Sequence, residues 1–129
     1  MRRRALAVAA VLFLTAGCGS RRPRVGPPSE PVFPVVGIAS WYGPGFHGKK
    51  TSSGERYDQD GLTAAHCCWP FGIHLKVTLL STGKSVTVRL NDRMPLNRKG
   101  RILDLSRGAA RRIGLIGPGT GRVRIEAAE

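Results

Sequence analysis

The sequence predicts an all-β domain that folds as a small barrel with one short helix. Apolar residues recur in short, mostly alternating runs, glycine-rich turns separate these runs, and a single segment has the pattern of a helix. Alternation with a period of two places side chains on opposite faces of a strand, so that one face is buried. Short strands joined by such turns are typical of compact barrels. Pattern alone does not choose the topology of the barrel.

Five segments read as strands, and two turn signals separate them clearly. The strands are residues 35–42, 75–80, 85–90, 101–105 and 121–125. The first is apolar and β-branched and ends at the breaker Gly43-Pro44-Gly45. The second and third are joined by Ser81-Thr82-Gly83-Lys84, which predicts a hairpin turn.

One helix is predicted after the fourth strand. Ser106 is suited to cap its N-terminus, Arg107–Ile113 forms its body, and Gly114 ends it. Seven residues make about two turns, and a single small helix among short strands favours a compact barrel.

The N-terminus has the organisation of an export signal. Met1-Arg2-Arg3-Arg4 is positively charged, and residues 5–14 are apolar but too few for a membrane helix, which needs about 20. Thr15-Ala16-Gly17-Cys18 resembles a bacterial lipobox, with Thr15 where leucine is usual. We therefore predict that residues 1–17 are a lipoprotein signal peptide and that Cys18 is lipidated. The alternative is plain secretion, with Cys18 lost.

Residues 18–34 mix Arg, Pro, Gly and Ser and predict a flexible tether, which leaves residues 35–129 as the folded domain. Gly19, rather than aspartate, follows the cysteine, which favours the periplasmic face of the outer membrane if the cell is Gram-negative. The expected location is therefore a lipid anchor on a bacterial membrane.

The net charge is +13, and removal of Arg2, Arg3 and Arg4 leaves 13 − 3 = +10. Such a basic chain favours a polyanionic partner. Nucleic acid is not expected, because the export signal removes the chain from it and no interleaving of exposed aromatic and basic residues appears. Cell-wall glycan and anionic headgroups fit better, although an Arg-rich composition also reflects a GC-rich genome.

The adjacent Cys67 and Cys68 are expected to be two half-buried thiols beside the site. A vicinal disulfide is an uncommon alternative in an oxidising compartment. With His66 and His74 they suggest a metal, but the spacing lacks the C-x₂-C or H-x₃-H pattern of zinc sites, so no metal is predicted.

Three blocks carry a family resemblance: GIASWYGPGFHGKKTSSGERYD at residues 37–58, LTAAH at 62–66 and VRLNDRMP at 88–95. In this order and spacing they resemble the catalytic face of the rare lipoprotein A family. Members of that family are small six-stranded double-psi β-barrels, related to the barrel of expansins, that cut peptidoglycan glycan strands. The resemblance covers roughly residues 36–125.

The resemblance implies that Glu55, His66 and Asp92 occupy a polar cleft and are catalytic. Cleavage of a glycosidic bond needs a proton donor and negative charge near an oxocarbenium-like transition state. Asp92 is the first choice for the donor, although nearby Arg89 and Arg93 would oppose it. Because those two arginines are four residues apart, strand alternation would place them on a face that Asp92 avoids. If Asp92 is ionised, Glu55 is the acid.

The remaining site residues are predicted to bind substrate. Trp41 and Tyr42 alternate on a strand, so one is expected to face the core and the other the groove, where sugar rings stack on aromatic faces. Tyr57 and Asp58 are expected to line the cleft or support Glu55, and Arg93 to contact the glycan. Trp69 and Phe71 are expected in the core, and His47 and His74 are expected to be surface or packing residues.

The resemblance implies a monomeric lytic transglycosylase of the cell-division septum that acts on peptide-poor glycan at MurNAc–GlcNAc linkages. It forms 1,6-anhydroMurNAc and uses neither cofactor nor metal. Two alternatives stay open: a non-catalytic, expansin-like peptidoglycan-binding lipoprotein, and a basic structural lipoprotein that recruits partners. Of the three hypotheses, only the lytic transglycosylase requires a carboxyl group that donates a proton.

Overall fold

The computed structural model describes residues 28–96 and 99–128. The predicted signal peptide, residues 1–17, Cys18 and most of the tether at 18–34 lie outside the described residues. Within the described part of the chain, no helix is long and apolar enough to cross a membrane.

The described residues form six strands and one helix. These are β1 (Val35–Trp41), β2 (Thr63–Ala65), β3 (His74–Leu79), β4 (Ser85–Asp92), β5 (Arg101–Leu105), α1 (Arg107–Ile113) and β6 (Thr120–Ala127). All five strands expected from alternation are present, within about two residues at each end. The sixth, β2, has three residues, too few to show alternation in the sequence.

The strands close into a barrel in the order β1-β5-β2-β4-β3-β6. Strands β1 and β5 pair in parallel, as do β2 and β4, whereas the other pairs are antiparallel. The predicted six-stranded double-psi barrel with one short helix is confirmed. Because the sheet is closed, each of the six strands has a neighbour on both sides. An open edge strand would otherwise invite association between chains.

The barrel interior follows from the alternation of β3 and β4. Leu75, Val77 and Leu79 point inward from β3 and are at most 1% exposed, whereas Lys76 between them is exposed. Val88 and Leu90 do the same on β4. Each fully buried aliphatic side chain contributes about 1.5–3 kcal/mol by leaving water, so this interior holds the strands in register.

Helix α1 forms where the sequence predicts it. The Ser106 side chain accepts a hydrogen bond from the Ala109 amide at 3.3 Å and donates to the Gly61 carbonyl at 2.6 Å. Gly114 ends the helix in the left-handed conformation, at φ 82°. The cap therefore fixes both the helix and the loop before β2.

Two expectations are corrected by the fold. Cys67 and Cys68 are joined by a vicinal disulfide rather than present as free thiols, because consecutive residues in the turn after β2 bring the two sulfur atoms together. Phe71 is 40% exposed and not part of the core, whereas Trp69 is 6% exposed and packs inside as expected.

Candidate active site

A surface groove of about 230 Å³ lies where β1, β4 and β5 approach one another. Its walls combine charged, polar, aromatic and apolar residues. Its lining residues are Ser40, Trp41, Tyr42, Gly43, Phe46, Asp92, Arg93, Met94, Pro95, Arg101 and Asp104. The groove contains two carboxyl groups, those of Asp92 and Asp104.

Strand register places these two carboxyl groups in one row across the barrel. Ala65 of β2 is opposite Asp92 on one side and opposite Asp104 on the other, and Asp104 is opposite Ser40 of β1. The two aspartates are thus two strand spacings apart, about 9–10 Å between Cα atoms. Ala65, which lies between them in the register, is 1% exposed and does not line the groove.

A register irregularity between β2 and β4 selects Asp92 for this row. Ala64 is opposite Leu90, but the next residue, Ala65, is opposite Asp92 rather than Asn91. Bulges of this kind re-aim side chains and are frequent next to active sites. Without the shift, Asn91 would be opposite Ala65, and the row would contain one carboxyl group instead of two.

Asp104 is the carboxyl group with the properties of a proton donor. Burial raises its pKa to about 6, against the opposing effects of the Ser40 hydrogen bond and Arg101, and the charge of Asp92 raises it further. Its Oδ1 accepts a single hydrogen bond, from Ser40 Oγ at 3.0 Å. A pKa near neutrality suits a group that donates and then recovers a proton.

Asp92 is held by three donors. Its Oδ2 accepts from the Tyr42 hydroxyl at 2.6 Å, and its Oδ1 accepts from the amides of Ser52 at 2.9 Å and Arg93 at 2.8 Å. An ionised carboxylate is an acceptor-only group, so these donors match it as an anion. Asp92 therefore suits the stabilisation of positive charge in the groove.

Tyr42 faces the groove and acts mainly through Asp92. Burial, followed by its hydrogen bond to Asp92, raises the pKa of Tyr42 above its usual value, so the phenol remains a donor. The Tyr57 ring lies 4.5 Å from the Tyr42 ring, and the Tyr57 hydroxyl accepts from the Arg107 amide. Tyr57 is 4% exposed and supports Tyr42 from behind, outside the groove lining. Trp41 packs against the core and also borders the groove.

Glu55 lies outside the groove lining. Both of its oxygens accept hydrogen bonds from the Arg89 guanidinium, which lowers the pKa of the carboxyl group. Its side chain is 41% exposed, so the pair is largely in contact with solvent. A carboxyl group with a lowered pKa is a poor proton donor near pH 7, which counts against Glu55 as the acid.

The positions of Arg89 and Arg93 differ from simple alternation. Arg89 turns to Glu55, while Arg93 leaves the strand, donates from Nη1 to the Trp69 carbonyl at 2.6 Å and lies over the Phe71 ring at 4.0 Å. Among the described residues, the two ion pairs are Arg89–Glu55 and Arg124–Glu126. Among the described residues neither guanidinium group forms an ion pair with Asp92, although the charge of Asp92 acts on Arg93 against the burial that lowers the pKa of Arg93.

His66 is a neutral, buried residue beside the groove. Its Nδ1 accepts from the amides of Cys68 and Trp69 at 3.0 and 3.2 Å, and its ring stacks on Trp69 with centroids 3.7 Å apart. Burial, followed by the charge of Arg93, lowers the pKa of His66 to about 4. Its backbone amide donates to the Asp92 carbonyl at 3.1 Å. These contacts suit a residue that positions the turn rather than one that carries protons.

Asp58 is exposed, and its Oδ1 accepts a hydrogen bond from the Asp60 amide at 2.9 Å in a loop outside the groove lining.

The residues that sequence reasoning missed are Asp104, Ser40 and Phe46. Asp104 is one of seven acidic residues within residues 35–129, but its neighbours in sequence give no sign of the β5–β2 pairing that brings it to Asp92. Phe46 had a signal, an aromatic in a glycine-broken loop after Tyr42.

One group of metal-binding atoms is present among the described residues. The donor atoms of His66, Cys67 and Cys68 lie within 4.8 Å of one another. Thiolates bind metals, whereas these two sulfur atoms are joined in a disulfide. The Nδ1 of His66 already accepts hydrogen bonds from two backbone amides, so the cluster as it stands does not fit a metal ion.

A closed six-stranded barrel with two parallel strand pairs and a groove containing two aspartates defines this chain as a double-psi β-barrel protein. A family model described as lytic transglycolase matches residues 35–125, nearly the whole described domain, and the chain belongs to that family.

Relatives in sequence carry names of one kind. The chain is 58% identical over 90 residues to "Probable endolytic peptidoglycan transglycosylase RlpA" of Synechocystis sp., covering 70% of this chain and 28% of the relative. It is 60% identical over 90 residues to "Endolytic peptidoglycan transglycosylase RlpA" of Campylobacter jejuni, covering 70% and 32%. The chain thus spans about a third of the length of the curated relatives it matches.

The solved structure of an expansin from Clavibacter michiganensis has a similar fold. It superposes with a TM-score of 0.57 at 22% identity, covering 75% of this chain and 51% of the expansin chain. At this identity the likeness shows the fold alone.

Proposed function

We propose that this chain is an endolytic peptidoglycan lytic transglycosylase that cleaves MurNAc–GlcNAc linkages of peptide-poor glycan strands. The printed names of the relatives and the matching family support the reaction class. The observation that carries the proposal is the placement of Asp104 and Asp92 on either side of Ala65 in one groove. One is a carboxyl group with its pKa raised to about 6, and the other is an acceptor held by three donors.

In the proposed reaction, Asp104 donates its proton to the glycosidic oxygen, which leaves as the 4-hydroxyl of GlcNAc. Positive charge develops at C1 of MurNAc, and Asp92 stabilises it. The 6-hydroxyl of MurNAc attacks C1 and transfers its proton to the Asp104 carboxylate. The C1–O4 bond breaks, the C1–O6 bond forms, and Asp104 is again protonated without consumption of water.

This assignment of the acid and of the stabilising anion differs from the one that the sequence favours. Asp92 is proposed as the stabilising anion, and Asp104 replaces Asp92 and Glu55 as the acid. Tyr42 positions Asp92, and His66 with Arg93 positions the turn behind it. Phe46, 50% exposed with its ring 5.9 Å from that of Tyr42, offers the groove an aromatic face for a sugar ring.

The test is mass spectrometry of peptide-free glycan strands after incubation with the purified chain. We compare wild type with Asp104→Asn, Asp92→Asn and Glu55→Gln, and use Asp58→Asn as the matched control outside the groove. We expect 1,6-anhydroMurNAc ends from wild type and from the control. Asp104→Asn should lose at least about 100-fold, the usual contribution of a positioned acid. Asp92→Asn should also lose at least about 100-fold, because it removes the negative charge that stabilises the transition state.

Glu55→Gln should lose less activity than either groove variant. Reducing ends in place of anhydro ends would indicate a hydrolase. Retained glycan binding without cleavage would favour the expansin-like binding module.

We also propose that Cys18 anchors a monomeric chain to the periplasmic face of the outer membrane, at the division septum. The lipobox-like residues 15–18 and Gly19 support the anchor. Metabolic labelling with palmitate should mark wild type but not Cys18→Ser, and fractionation should recover only the labelled chain with membranes. Fluorescence microscopy tests the septal position, and light scattering of the detergent-solubilised chain tests the monomer.

A further inference from the structure

We propose that the Cys67–Cys68 disulfide is a thiol-exchange site for a dithiol reductant, and that its reduction lowers glycan cleavage by loosening the turn that holds His66 and Arg93. The existence of the exchange site is independent of the proposed function, whereas its effect on cleavage rests on that function.

The disulfide is accessible from a cavity next to the groove. Cys67 is half-buried and lines a small cavity of about 50 Å³ together with His66. Met94, Pro95 and Arg101 line both this cavity and the groove, so the two are separated by shared walls. Neither sulfur atom lines the groove itself, and the proposed cleavage does not use them.

The exchange proceeds by ordinary thiol chemistry. One thiolate of the dithiol attacks the Cys67 sulfur, the S–S bond breaks, and Cys68 leaves as a thiolate and takes up a proton. The second thiol of the reductant, as its thiolate, then displaces Cys67 from the mixed disulfide, and Cys67 takes up a proton. The protein gains two thiols, and the dithiol is oxidised to its cyclic disulfide.

The peptide bond between Cys67 and Cys68, which the disulfide bridges, also contributes an amide that donates a hydrogen bond to His66. His66 Nδ1 accepts from the Cys68 amide at 3.0 Å and the Trp69 amide at 3.2 Å, while the His66 ring stacks on Trp69. The disulfide closes a small ring around the peptide between the two cysteines and restricts its torsions. Reduction restores that freedom, so the two amides are held less firmly against Nδ1.

The turn is connected to the groove through Arg93 and Asp92. Arg93 Nη1 donates to the Trp69 carbonyl at 2.6 Å, and the Arg93 amide donates to Asp92 Oδ1 at 2.8 Å. The His66 amide donates to the Asp92 carbonyl at 3.1 Å. A looser turn therefore displaces the proposed stabilising anion. Since a misplacement of about 1 Å costs up to ~100-fold in rate, we expect a loss of about tenfold on reduction.

The experiment uses the full chain in detergent, oxidised or reduced with dithiothreitol in the presence of a chelator. The chelator keeps the released thiols and His66 free of soft metal ions. Peptide mapping after alkylation measures the state of Cys67 and Cys68. Nitrogen-15 NMR of the His66 imidazole measures the turn, and release of anhydro ends measures cleavage. The Cys67→Ser, Cys68→Ser double variant is the control for other effects of the reductant.

We expect reduction to alkylate both cysteines, shift the His66 Nδ1 signal and lower cleavage about tenfold, with recovery on reoxidation. The double variant should cleave at the reduced rate with or without dithiothreitol. Equal cleavage by oxidised and reduced wild type would overturn the effect on cleavage, and an unbridged or irreducible pair would overturn the exchange site. If no form cleaves glycan, the proposed function fails, and the His66 signal decides whether reduction loosens the turn.

Discussion

Asp104 and Asp92 differ in environment although both are aspartates in one groove. Asp104 has one hydrogen-bond donor and is largely buried, whereas Asp92 has three donors. Burial without compensation favours the neutral carboxyl group, and donors favour the anion. Two carboxyl groups whose environments separate their roles are the usual basis of acid and charge assignments in glycosidic cleavage.

The pH dependence of cleavage tests the role of Asp104. Because its pKa is raised to about 6, the protonated form that donates to the leaving oxygen is lost as the pH rises through that value. We expect kcat/KM on peptide-free glycan to fall above pH 6, by about tenfold per pH unit once Asp104 is ionised. A rate that stays constant between pH 5 and 8 would assign the proton donor elsewhere.

Folding stability gives a second, independent measure of Asp104. Its pKa is raised in the folded state, so its contribution is fully present below the unfolded value of 3.8 and is lost as the pH rises through about 6. The full difference amounts to about 3 kcal/mol, from about two pKa units at 1.36 kcal/mol each. Urea unfolding of wild type and Asp104→Asn at pH 4 and pH 8 measures it.

The wild type should lose about 2–3 kcal/mol relative to Asp104→Asn between these two pH values. Comparison of the two proteins removes the contribution of His66, whose pKa is lowered to about 4 and whose stabilisation is lost at acid pH in both. Parallel pH profiles would show that Asp104 is not perturbed by folding.

At the scale of elements, helix α1 packs on the loop before β2 through a glycine. A Cβ atom added at Gly108 would lie 2.7 Å from the Asp60 carbonyl oxygen and 3.0 Å from that of Gly61. Both contacts are with backbone, which cannot move aside as a side chain does. The Gly108 amide also donates to the Gln59 carbonyl at 2.7 Å, so this hydrogen bond holds the helix backbone close to the loop.

Gly108→Ala should therefore lower the free energy of unfolding by about 1–3 kcal/mol, although alanine has the higher helix propensity. Gly117→Ala is the matched control, because nothing lies within 4 Å of its added Cβ. Thermal unfolding of both variants beside wild type measures the difference. A Gly108→Ala variant as stable as the control would show that the helix shifts freely on the loop.

The short strand β2 and its register shift matter more to the site than the longer strands do. β2 has three residues, yet it pairs with β4 on one side and β5 on the other and so brings Asp92 and Asp104 into one row. No alternation is visible over three residues, and a bulge leaves no mark in a hydrophobic pattern. The element that assembles the groove is thus the one that periodicity could not predict.

At the scale of the molecule, the excess of positive charge bears on the proposed encounter with the cell wall. The chain carries 21 Lys and Arg against 8 Asp and Glu. Attraction to anionic wall polymers is long-ranged but is screened at a Debye length of about 8 Å in physiological salt. Under the proposed function, charge concentrates the chain at the wall, while the groove determines where the glycan is cut.

Binding to purified, anionic cell walls should accordingly weaken by about tenfold or more between 50 and 500 mM salt. Cleavage of uncharged, chemically amidated glycan strands should change less, because the proposed chemistry lies within the groove. Sedimentation of walls with bound protein measures the first, and release of anhydro ends the second. Wall binding that is unaffected by salt would show that the positive charge has no role in recruitment.

The sequence by itself determined the β class, five of six strands, the capped helix and the family, because each of these depends on local periodicity, turn chemistry or short motifs. It also predicted Asp92, His66 and Tyr42 as site residues.

Only the tertiary structure decided the partner of Asp92. Asp104 becomes a candidate acid through pairing of β5 with β2 and burial beside Ser40, which are contacts between residues up to 64 positions apart. A distant contact also decides the role of Glu55. The sequence offered Glu55 as the alternative proton donor, but its carboxyl group is bound by Arg89, 34 residues away. A carboxyl group takes its role from the charges and donors around it, and in a closed barrel those neighbours come from distant parts of the chain.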